Sequence, residues 1–437
     1  MIKSIAVKDL FGYQTYTVPF EEIIGNVFII HGPNGSGKTT IFKMLQGISQ
    51  KNFKIFFEVP FIEFEVKTDT MVLKITKNEE GSLIFSNNHE IATLEEQIHR
   101  ASLEENFDEN FRERNRDLHK LGAIRVGPKR YEYEGNEYTY WKLCNMLLRD
   151  NNNHNKDYLP EFVSEIAEEL NIIYIGAERL ISEEESNNQR RVEDNTNKLK
   201  GIIKKAEIRY GILSKDLDAN FPNRIISKSH SVDNDIAPEN IAEKLQNLSL
   251  KRNNLTKIGI LSESNSNDLI PVDQITSDDI LDNTLLKQIL SIYIEDNENK
   301  LSVFDKLLKK IDVLEEMVNH FFTNKEIEVN STDGYVIKST KGNLKGKCIP
   351  LNKLSSGEQH FLVLFFELVF NTKKNQIVFI DEPEISLHIS WQLNMVDRLI
   401  KICQLNSNYF ILATHSPSLI RNHRDLAIPV GYEKDDE

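Results

Sequence analysis

One short segment constrains the fold of this chain more than any other. Residues 32–39 read GPNGSGKT, follow the apolar run Asn26–His31, and lead into a predicted helix from Lys38 to about Ile48. The three glycines let the main chain curl so that its N–H groups point inward, and the N-terminus of the helix adds partial positive charge. A strand before GxxxxGK[ST] and a helix after it form the context in which this motif binds phosphates. The segment therefore predicts an α/β fold with a phosphate-binding loop.

The residue types in this loop predict what it binds. Lys38 supplies a point charge between the β- and γ-phosphates of a nucleoside triphosphate, and the Thr39 hydroxyl is a ligand for Mg²⁺. The alternative, a glycine-rich turn that binds nothing, is disfavoured because the strand, the loop, the Lys-Thr pair and the helix all agree. The residues predicted to contact the phosphates are Gly32, Pro33, Asn34, Gly35, Ser36, Gly37, Lys38, Thr39 and Thr40.

A second motif, Leu354–Gln359 (LSSGEQ), lies far downstream and precedes an apolar helical run. By itself it indicates only a helix start, with Ser355 or Ser356 as the N-cap and Glu358 in the first turn. Its position in the chain gives it more weight, because two strands with polar C-terminal ends follow it.

Each of those two strands is a short apolar run. Ile377–Ile380 leads into Asp381–Pro383 (DEP), and Tyr409–Ala413 leads into Thr414–Ser416 (THS). Parallel α/β sheets place their ligands at the C-terminal ends of the strands. We therefore expect both polar groups to lie beside the phosphate loop.

The order of these motifs resembles that of the ABC-type ATPases, in which the phosphate loop is followed by a signature sequence, a strand ending in Asp-Glu, and a switch histidine. The resemblance implies ATP as the nucleotide and Mg²⁺ as the metal ion, with Thr39 and Asp381 as metal ligands. It also implies that Glu382 polarises the attacking water and that His415 senses the γ-phosphate, so that Lys38, Glu382 and His415 are the expected catalytic residues. Standing alone, His415 would more often be a core histidine.

The resemblance further implies a partner subunit. In this group the signature residues of one subunit contact the γ-phosphate of ATP held by another, so that ATP joins two heads and hydrolysis separates them. We therefore expect an ATP-sandwiched homodimer or a larger assembly. The signature residues expected at that contact are Ser355, Ser356, Gly357 and Glu358.

The sequence around the DEP motif favours one branch of these ATPases. Lys38 and Ser355 lie much further apart than the same motifs do in transporter ATPases, and His388 stands where transporters tend to have an aspartate. The run DEPEISLH, followed by Ser390-Trp391-Gln392, resembles the OLD (overcoming lysogenization defect) and related AAA-21 and AAA-15 families, relatives of the RecF and SMC-type ATPases. Arg179, in a strand-plus-Arg element resembling one seen in that group, is a candidate for nucleotide or nucleic-acid contact, and a structural ion pair is the alternative.

The resemblance leaves three functions open. OLD nucleases carry a TOPRIM nuclease domain after the switch histidine, and only a short segment follows His415 here, so we expect no DNA cleavage by this chain itself. Stand-alone ATPases of this kind resemble subunits of bacterial anti-phage systems such as Septu, PARIS and retrons, which implies a separate nuclease or toxin as effector. A DNA-repair or chromosome-maintenance ATPase is the alternative, and a transporter ATPase is third.

The organisation of the chain follows from its changing pattern. We predict an N-terminal lobe of the ATPase head over 1–181, with antiparallel strands in Phe53–Ile75; a helical insertion over 182–323; and a C-terminal lobe over 324–437. In the insertion, an apolar stripe from Phe304 to Phe321 predicts one helix, and Ile241–Leu255 suggests a weaker one interrupted by Arg252.

Composition excludes several other classes of protein. No apolar run is long enough to span a membrane, and three cysteines without a CxxC pair exclude a disulfide scaffold, so we expect a cytoplasmic protein with no membrane contact. A net charge of −14 argues against general nucleic-acid coating. Residues 112–130 hold seven Lys or Arg and two acidic residues, a candidate nucleic-acid contact whose alternative is a solvated surface.

Overall fold

The computed structural model describes residues 2–20, 25–95, 118, 123–127, 130–133, 136–139, 159–180, 191–228, 238–262 and 284–431. The strands are β1 Ile2–Leu10, β2 Gln14–Pro19, β3 Val27–His31, β4 Glu63–Thr68, β5 Val72–Lys77, β6 Leu83–Ser86, β7 Ile91–Leu94, β8 Ile124–Gly127, β9 Arg130–Tyr133, β10 Asn136–Thr139, β11 Ile172–Ile175, β12 Lys325–Asn330, β13 Gly334–Ser339, β14 Cys348–Ile349, β15 Ile377–Asp381, β16 Tyr409–Thr414 and β17 Ala427–Pro429. The α-helices are α1 Lys38–Ser49, α2 Lys54–Glu58, α3 Glu161–Glu169, α4 Arg191–Lys228, α5 Pro238–Lys257, α6 Thr284–Ser302, α7 Asp305–Phe321, α8 Ser356–Phe366, α9 Ile389–Asn406 and α10 Pro417–Ile420. A π-helical segment, Glu367–Asn371, continues α8.

A parallel sheet forms the centre of the fold. Its strand order is β11-β15-β16-β3-β17, and the pairings between neighbours are all parallel. The strands read as nearly continuous apolar runs because both faces of the sheet are covered. Alternate residues contribute to two different cores: Ile29 and Ile380 face the helical side, whereas Phe28 and Phe379 face the N-terminal antiparallel sheet. This order places the C-terminal ends of β3, β16 and β15 next to one another.

The second large sheet is antiparallel and covers one face of the parallel sheet. Its order is β2-β1-β4-β5-β6-β7, and its core also includes side chains of α1 and α3. The prediction of strands from Phe53 onwards is wrong at its start, because Lys54–Glu58 forms the helix α2. Phe53 and Phe56 are both buried there, and their spacing of three residues is typical of one face of a helix. The same segment also shows the alternation that is typical of a strand.

The helical side is built from α4, α5, α6 and α7, which share one core with the parallel sheet and with α8. The predicted helix over the Phe304–Phe321 stripe is confirmed by α7. The weaker helix is also present, but Arg252 does not interrupt it, since α5 continues to Lys257 with Arg252 buried. No periodicity in the sequence predicted α4, a 38-residue helix that is polar over most of its surface.

These elements confirm the predicted α/β fold, with a parallel core sheet, an antiparallel β subdomain and an inserted set of helices. The boundaries at 181 and 323 stay predictions. None of the described helices is long and apolar enough to cross a membrane. The basic segment 112–130 lies mostly outside the described residues, although Tyr131 next to it is fully buried in the core, as strand packing requires.

One buried hydrogen bond ties the inserted helices to the C-terminal part of the chain. The Tyr335 hydroxyl in β13 donates to the Val192 carbonyl in α4 at 2.8 Å, and both residues are buried. We expect Tyr335→Phe to lower the free energy of unfolding by about 1–2 kcal/mol, because the carbonyl then loses its buried partner. Urea denaturation measures this, with Tyr13→Phe as a control whose side chain is 66% exposed. Equal stability of the two variants would contradict the expected contribution of this bond.

Candidate functional site

The phosphate loop has the backbone shape that its glycines allow. Gly35 and Gly37 both have φ of +84°, in the left-handed region, and α1 begins directly afterwards at Lys38. A Cβ on Gly32 would lie 2.2 Å from the Val430 carbonyl oxygen, so this position has room only for glycine. The Tyr16 hydroxyl donates to the Ser36 carbonyl at 2.7 Å and fixes the loop to the N-terminal sheet.

Lys38 is held inside this loop. Its ammonium donates to the carbonyls of Gly32 and Pro33 at 2.9 and 3.0 Å and to the Ser36 hydroxyl at 3.2 Å. Burial lowers the pKa of Lys38, and the carboxylates of Glu382, Asp381 and Glu384 act in the opposite direction. The loop thus holds a fixed, largely buried cation next to an acidic cluster. The cation suits a negatively charged phosphate, and the acidic cluster suits the positive counter-ion of that phosphate.

Asp381 connects the phosphate loop to the neighbouring strands. The Thr39 hydroxyl donates to Asp381 Oδ2 at 2.7 Å, and the Tyr174 hydroxyl donates to the same oxygen at 3.0 Å. Asp381 Oδ1 is buried without a hydrogen-bond partner in the described part of the chain. A hydroxyl and a carboxylate are the hard oxygen ligands that Mg²⁺ takes alongside its waters, so these residues fit that ion. Tyr174 was not among the predicted site residues.

Glu382 and His415 form the second pair at this edge of the sheet. Glu382 Oε2 lies 2.6 Å from His415 Nδ1, and this contact with the carboxylate raises the pKa of His415. The Glu382 side chain is 20% exposed and that of His415 is 53% exposed, so water and ligand can reach both. The Glu382 main chain is fixed by its N–H, which donates to the Ala413 carbonyl at 2.9 Å.

A third carboxylate, Glu384, lies behind this pair. It is buried, it accepts a hydrogen bond from the Thr414 hydroxyl, and its Oε1 lies 3.9 Å from His415 Nδ1. Burial raises the pKa of Glu384 to about 7. Glu382, Glu384 and His415 bring ligand atoms within 4.8 Å of one another, which could also hold a cation. The contacts with His415 and Thr414 involve Glu382 Oε2 and Glu384 Oε1, whereas Glu384 Oε2 is buried without a hydrogen-bond partner among the described residues.

Arg179 lies beneath the turn that carries Glu382. It is 1% exposed, and its Nη2 donates to the Glu382 carbonyl at 2.6 Å. Burial lowers the pKa of Arg179 to about 10, so the guanidinium remains charged at neutral pH. This burial conflicts with the first sequence-based alternative, contact of Arg179 with nucleotide or nucleic acid.

The signature motif forms the start of α8. Ser355 is the N-cap, and a capping box joins it to Glu358: Ser355 Oγ accepts from the Glu358 N–H at 3.3 Å, and Glu358 Oε2 accepts from the Ser355 N–H at 2.9 Å. Lys325 also donates to Glu358 Oε1 at 2.6 Å. Burial would raise the pKa of Glu358, but the hydrogen bonds from Lys325 and Ser355 outweigh it and lower the pKa.

These contacts leave the two serines of the motif at the surface. Ser355 and Ser356 are exposed, whereas the Glu358 carboxylate is used within the chain. A Cβ on Gly357 would lie 2.4 Å from the Ser386 carbonyl oxygen, so the motif packs on the segment after the DEP sequence. His388 is the N-cap of α9. Within the described ranges, no hydrogen bond or ion pair links the signature residues to the phosphate loop of the same chain.

Comparison with known proteins supplies the family context. Residues 1–420 match the family model described as AAA ATPase domain (AAA_15). Over 170 residues the chain is 29% identical to the retron Ec83 probable ATPase of Escherichia coli, a region that covers 32% of this chain and 30% of that protein. The chain therefore spans less than a third of the length of this curated relative.

Two solved structures are similar to nearly the whole chain at low identity. The SMC head bound to the C-winged helix domain of ScpA has a TM-score of 0.36 and 11% identity, covering 96% of this chain and 91% of that one. The SMC head with coiled coil and joint from Pyrococcus yayanosii has a TM-score of 0.34 and 16% identity, covering 96% and 93%.

Proposed function

Since the chain belongs to the AAA ATPase domain family and is therefore an ATPase, we propose that two copies of it engage around ATP. This engagement regulates a partner effector protein in prokaryotic antiviral defence. One observation carries the ATPase site: the Thr39–Asp381 contact and the Glu382–His415 contact meet beside Lys38 at one edge of the parallel sheet. Family membership supports ATP hydrolysis, and the roles of the individual residues belong to the proposal.

The proposed hydrolysis follows from what each side chain can do at its position. The loop N–H groups and Lys38 bind the phosphates, and Thr39 and Asp381 hold Mg²⁺, which when bound stabilises negative charge on the phosphates. Glu382 accepts a proton from the attacking water or orients it, because its carboxylate is partly exposed at the sheet edge. In this proposal His415, whose Nδ1 lies 2.6 Å from Glu382 Oε2, senses the γ-phosphate and transmits its loss.

The proposed contact between subunits uses the N-terminus of α8. Ser355 and Ser356 are exposed there, and the partial positive charge of the helix N-terminus favours an anion. A γ-phosphate held by a second copy is the anion that the motif order indicates. Two such contacts, related by a two-fold axis, would close both ATP sites at once.

An arginine at position 355 tests this contact. In the Glu382→Gln background, we expect Ser355→Arg to leave ATP affinity unchanged and to abolish ATP-dependent dimers. The reason is that the long arginine side chain fills the space of the γ-phosphate held by the second copy. Light scattering with ATP and Mg²⁺ measures the mass, and Ser302→Arg, at an exposed serine on α6, controls for added surface charge. Dimers that persist in the Ser355→Arg variant would refute the role of the signature in the partner's site.

The likeness to a retron ATPase supports the defence role, with a separate nuclease or toxin as effector. The alternative, a DNA-repair or chromosome-maintenance ATPase, is supported by the motif order, which resembles that of RecF and SMC-type proteins, and by the basic segment 112–130.

Affinity purification of the Glu382→Gln variant from its host with ATP and Mg²⁺ separates these two functions. A co-purifying nuclease or toxin supports the first function. Bound DNA without a protein partner, together with DNA-stimulated hydrolysis, supports the second.

A further inference from the structure

The main chain of Glu382 has a conformation that its side chain disfavours. Its φ is +44°, in the left-handed region that non-glycine residues seldom adopt, and such strain persists only where the surroundings impose it. The residue is nevertheless placed so that its carboxylate lies 2.6 Å from His415 Nδ1. Some contact must therefore hold this peptide in its orientation.

Three hydrogen bonds hold it, two from the main chain and one from a side chain. The Glu382 N–H donates to the Ala413 carbonyl in β16, and the Glu382 carbonyl accepts from the Ile385 N–H at 3.1 Å. Arg179, four residues after the end of β11, donates from Nη2 to the same Glu382 carbonyl at 2.6 Å, with the Asp381 carbonyl at 3.5 Å from that nitrogen. The first two contacts are ordinary main-chain hydrogen bonds, whereas the third requires a long, charged, fully buried side chain.

The surroundings of Arg179 favour a role beyond a simple ion pair. Its strongest charge partner is Glu384, yet its one short hydrogen bond goes to a main-chain carbonyl. Its Nε and Nη1 are buried and, like Asp381 Oδ1 and Glu384 Oε2, have no hydrogen-bond partner in the ranges that the structure describes. Burying a guanidinium with unfilled donors destabilises a fold, so its presence under this turn points to function.

We propose that Arg179 is a positioning residue for hydrolysis: by holding the Glu382 carbonyl, it keeps the Glu382 side chain directed at the attacking water. In this proposal Arg179, which is 1% exposed, acts through Glu382 alone. This inference rests on the proposed catalytic role of Glu382. It predicts that losing the guanidinium slows hydrolysis and leaves ATP binding intact.

Three variants test the inference in the full-length protein. Arg179→Met removes the donors, Arg179→Lys keeps the charge and one donor, and Arg252→Lys changes another buried arginine far along the chain, on α5. We expect Arg179→Met to lower the single-turnover rate of ATP hydrolysis at least about tenfold, with an ATP Kd within about threefold of wild type. The hydrolysis rate of Arg179→Lys should lie between those of Arg179→Met and wild type, and the rate of Arg252→Lys should match wild type. If Arg179→Met does not fold, Arg179→Lys alone carries the test. A folded Arg179 variant with the wild-type rate, or one whose ATP Kd weakens as much as its rate falls, would overturn the proposal.

A double-mutant cycle separates positioning from a general structural effect. Because Arg179 acts through Glu382, adding the Arg179 substitution to Glu382→Gln should change the residual rate by less than about threefold. Losses that multiply in full would contradict the proposal. The two hypotheses can also be refuted separately. A wild-type turnover rate in Glu382→Gln refutes the catalytic role of Glu382. A slow rate in Glu382→Gln together with a wild-type rate in Arg179→Met refutes only the positioning role of Arg179.

Discussion

Replacing Lys38 by alanine is expected to weaken ATP binding by at least about 100-fold. The ammonium is the buried cation of the phosphate loop and is fixed by three oxygens of that loop. Without it, the acidic cluster of Asp381, Glu382 and Glu384 would repel the phosphates. Titration of a fluorescent ATP analogue measures the Kd.

The control for this prediction is Lys67→Ala, at an exposed lysine in β4. It removes the same charge from the N-terminal sheet and should leave the Kd within about twofold, since exposed charges are screened by water and salt. If Lys38→Ala bound ATP as tightly as Lys67→Ala does, residues 32–39 would not be the phosphate site.

Replacing Glu382 by glutamine is expected to slow hydrolysis by about 100- to 1,000-fold while ATP still binds. The amide has the same shape but cannot accept a proton, and general-base contributions are typically of this size. It also removes the charge that raises the pKa of His415, so that pKa should fall towards its ordinary value. Phosphate release in a single turnover measures the rate, and histidine NMR titration measures the pKa.

Glu328→Gln, in β12 and exposed, is the matched control and should hydrolyse ATP normally. Normal turnover in Glu382→Gln as well would remove Glu382 from the catalytic role. A slow rate combined with lost ATP binding would instead indicate that Glu382 is needed for the binding site itself.

The parts of the fold that the sequence predicted well are those fixed by local rules. The phosphate loop combines glycines at positions with positive φ and a helix that starts at Lys38, and each requirement is visible within a few residues. Buried parallel strands such as β15 and β16 read as short apolar runs that end in polar residues. The Phe304–Phe321 stripe predicted α7 because one apolar face repeats at helical spacing.

The incorrect or missing predictions concern segments whose local pattern is compatible with two structures, or segments that carry no clear pattern. The segment FKIFFE alternates like a strand but forms α2, because Phe53 and Phe56 are buried on the same side. The helix α4 carries few apolar residues for its length, so its packing depends on tertiary contacts that periodicity does not reveal.

The contacts of two residues at the site could not be predicted from the sequence for another reason. Tyr174 and Arg179 contact Asp381 and Glu382, which lie about 200 positions further along the chain. The pairing of β11 with β15 brings them together. The strand-plus-Arg element was visible in the sequence, but its partner, a main-chain carbonyl, carries no sequence signal.

If each ATP site is completed by the signature motif of a second chain, two inactive variants should restore hydrolysis when they are mixed. Lys38→Ala cannot hold ATP but has an intact signature, and Ser355→Arg holds ATP but presents a blocked signature. We expect each variant alone to hydrolyse almost no ATP and an equimolar mixture to regain hydrolysis, because one complete site forms between unlike chains. A mixture as inactive as its components would show that the signature of a second chain does not complete the site.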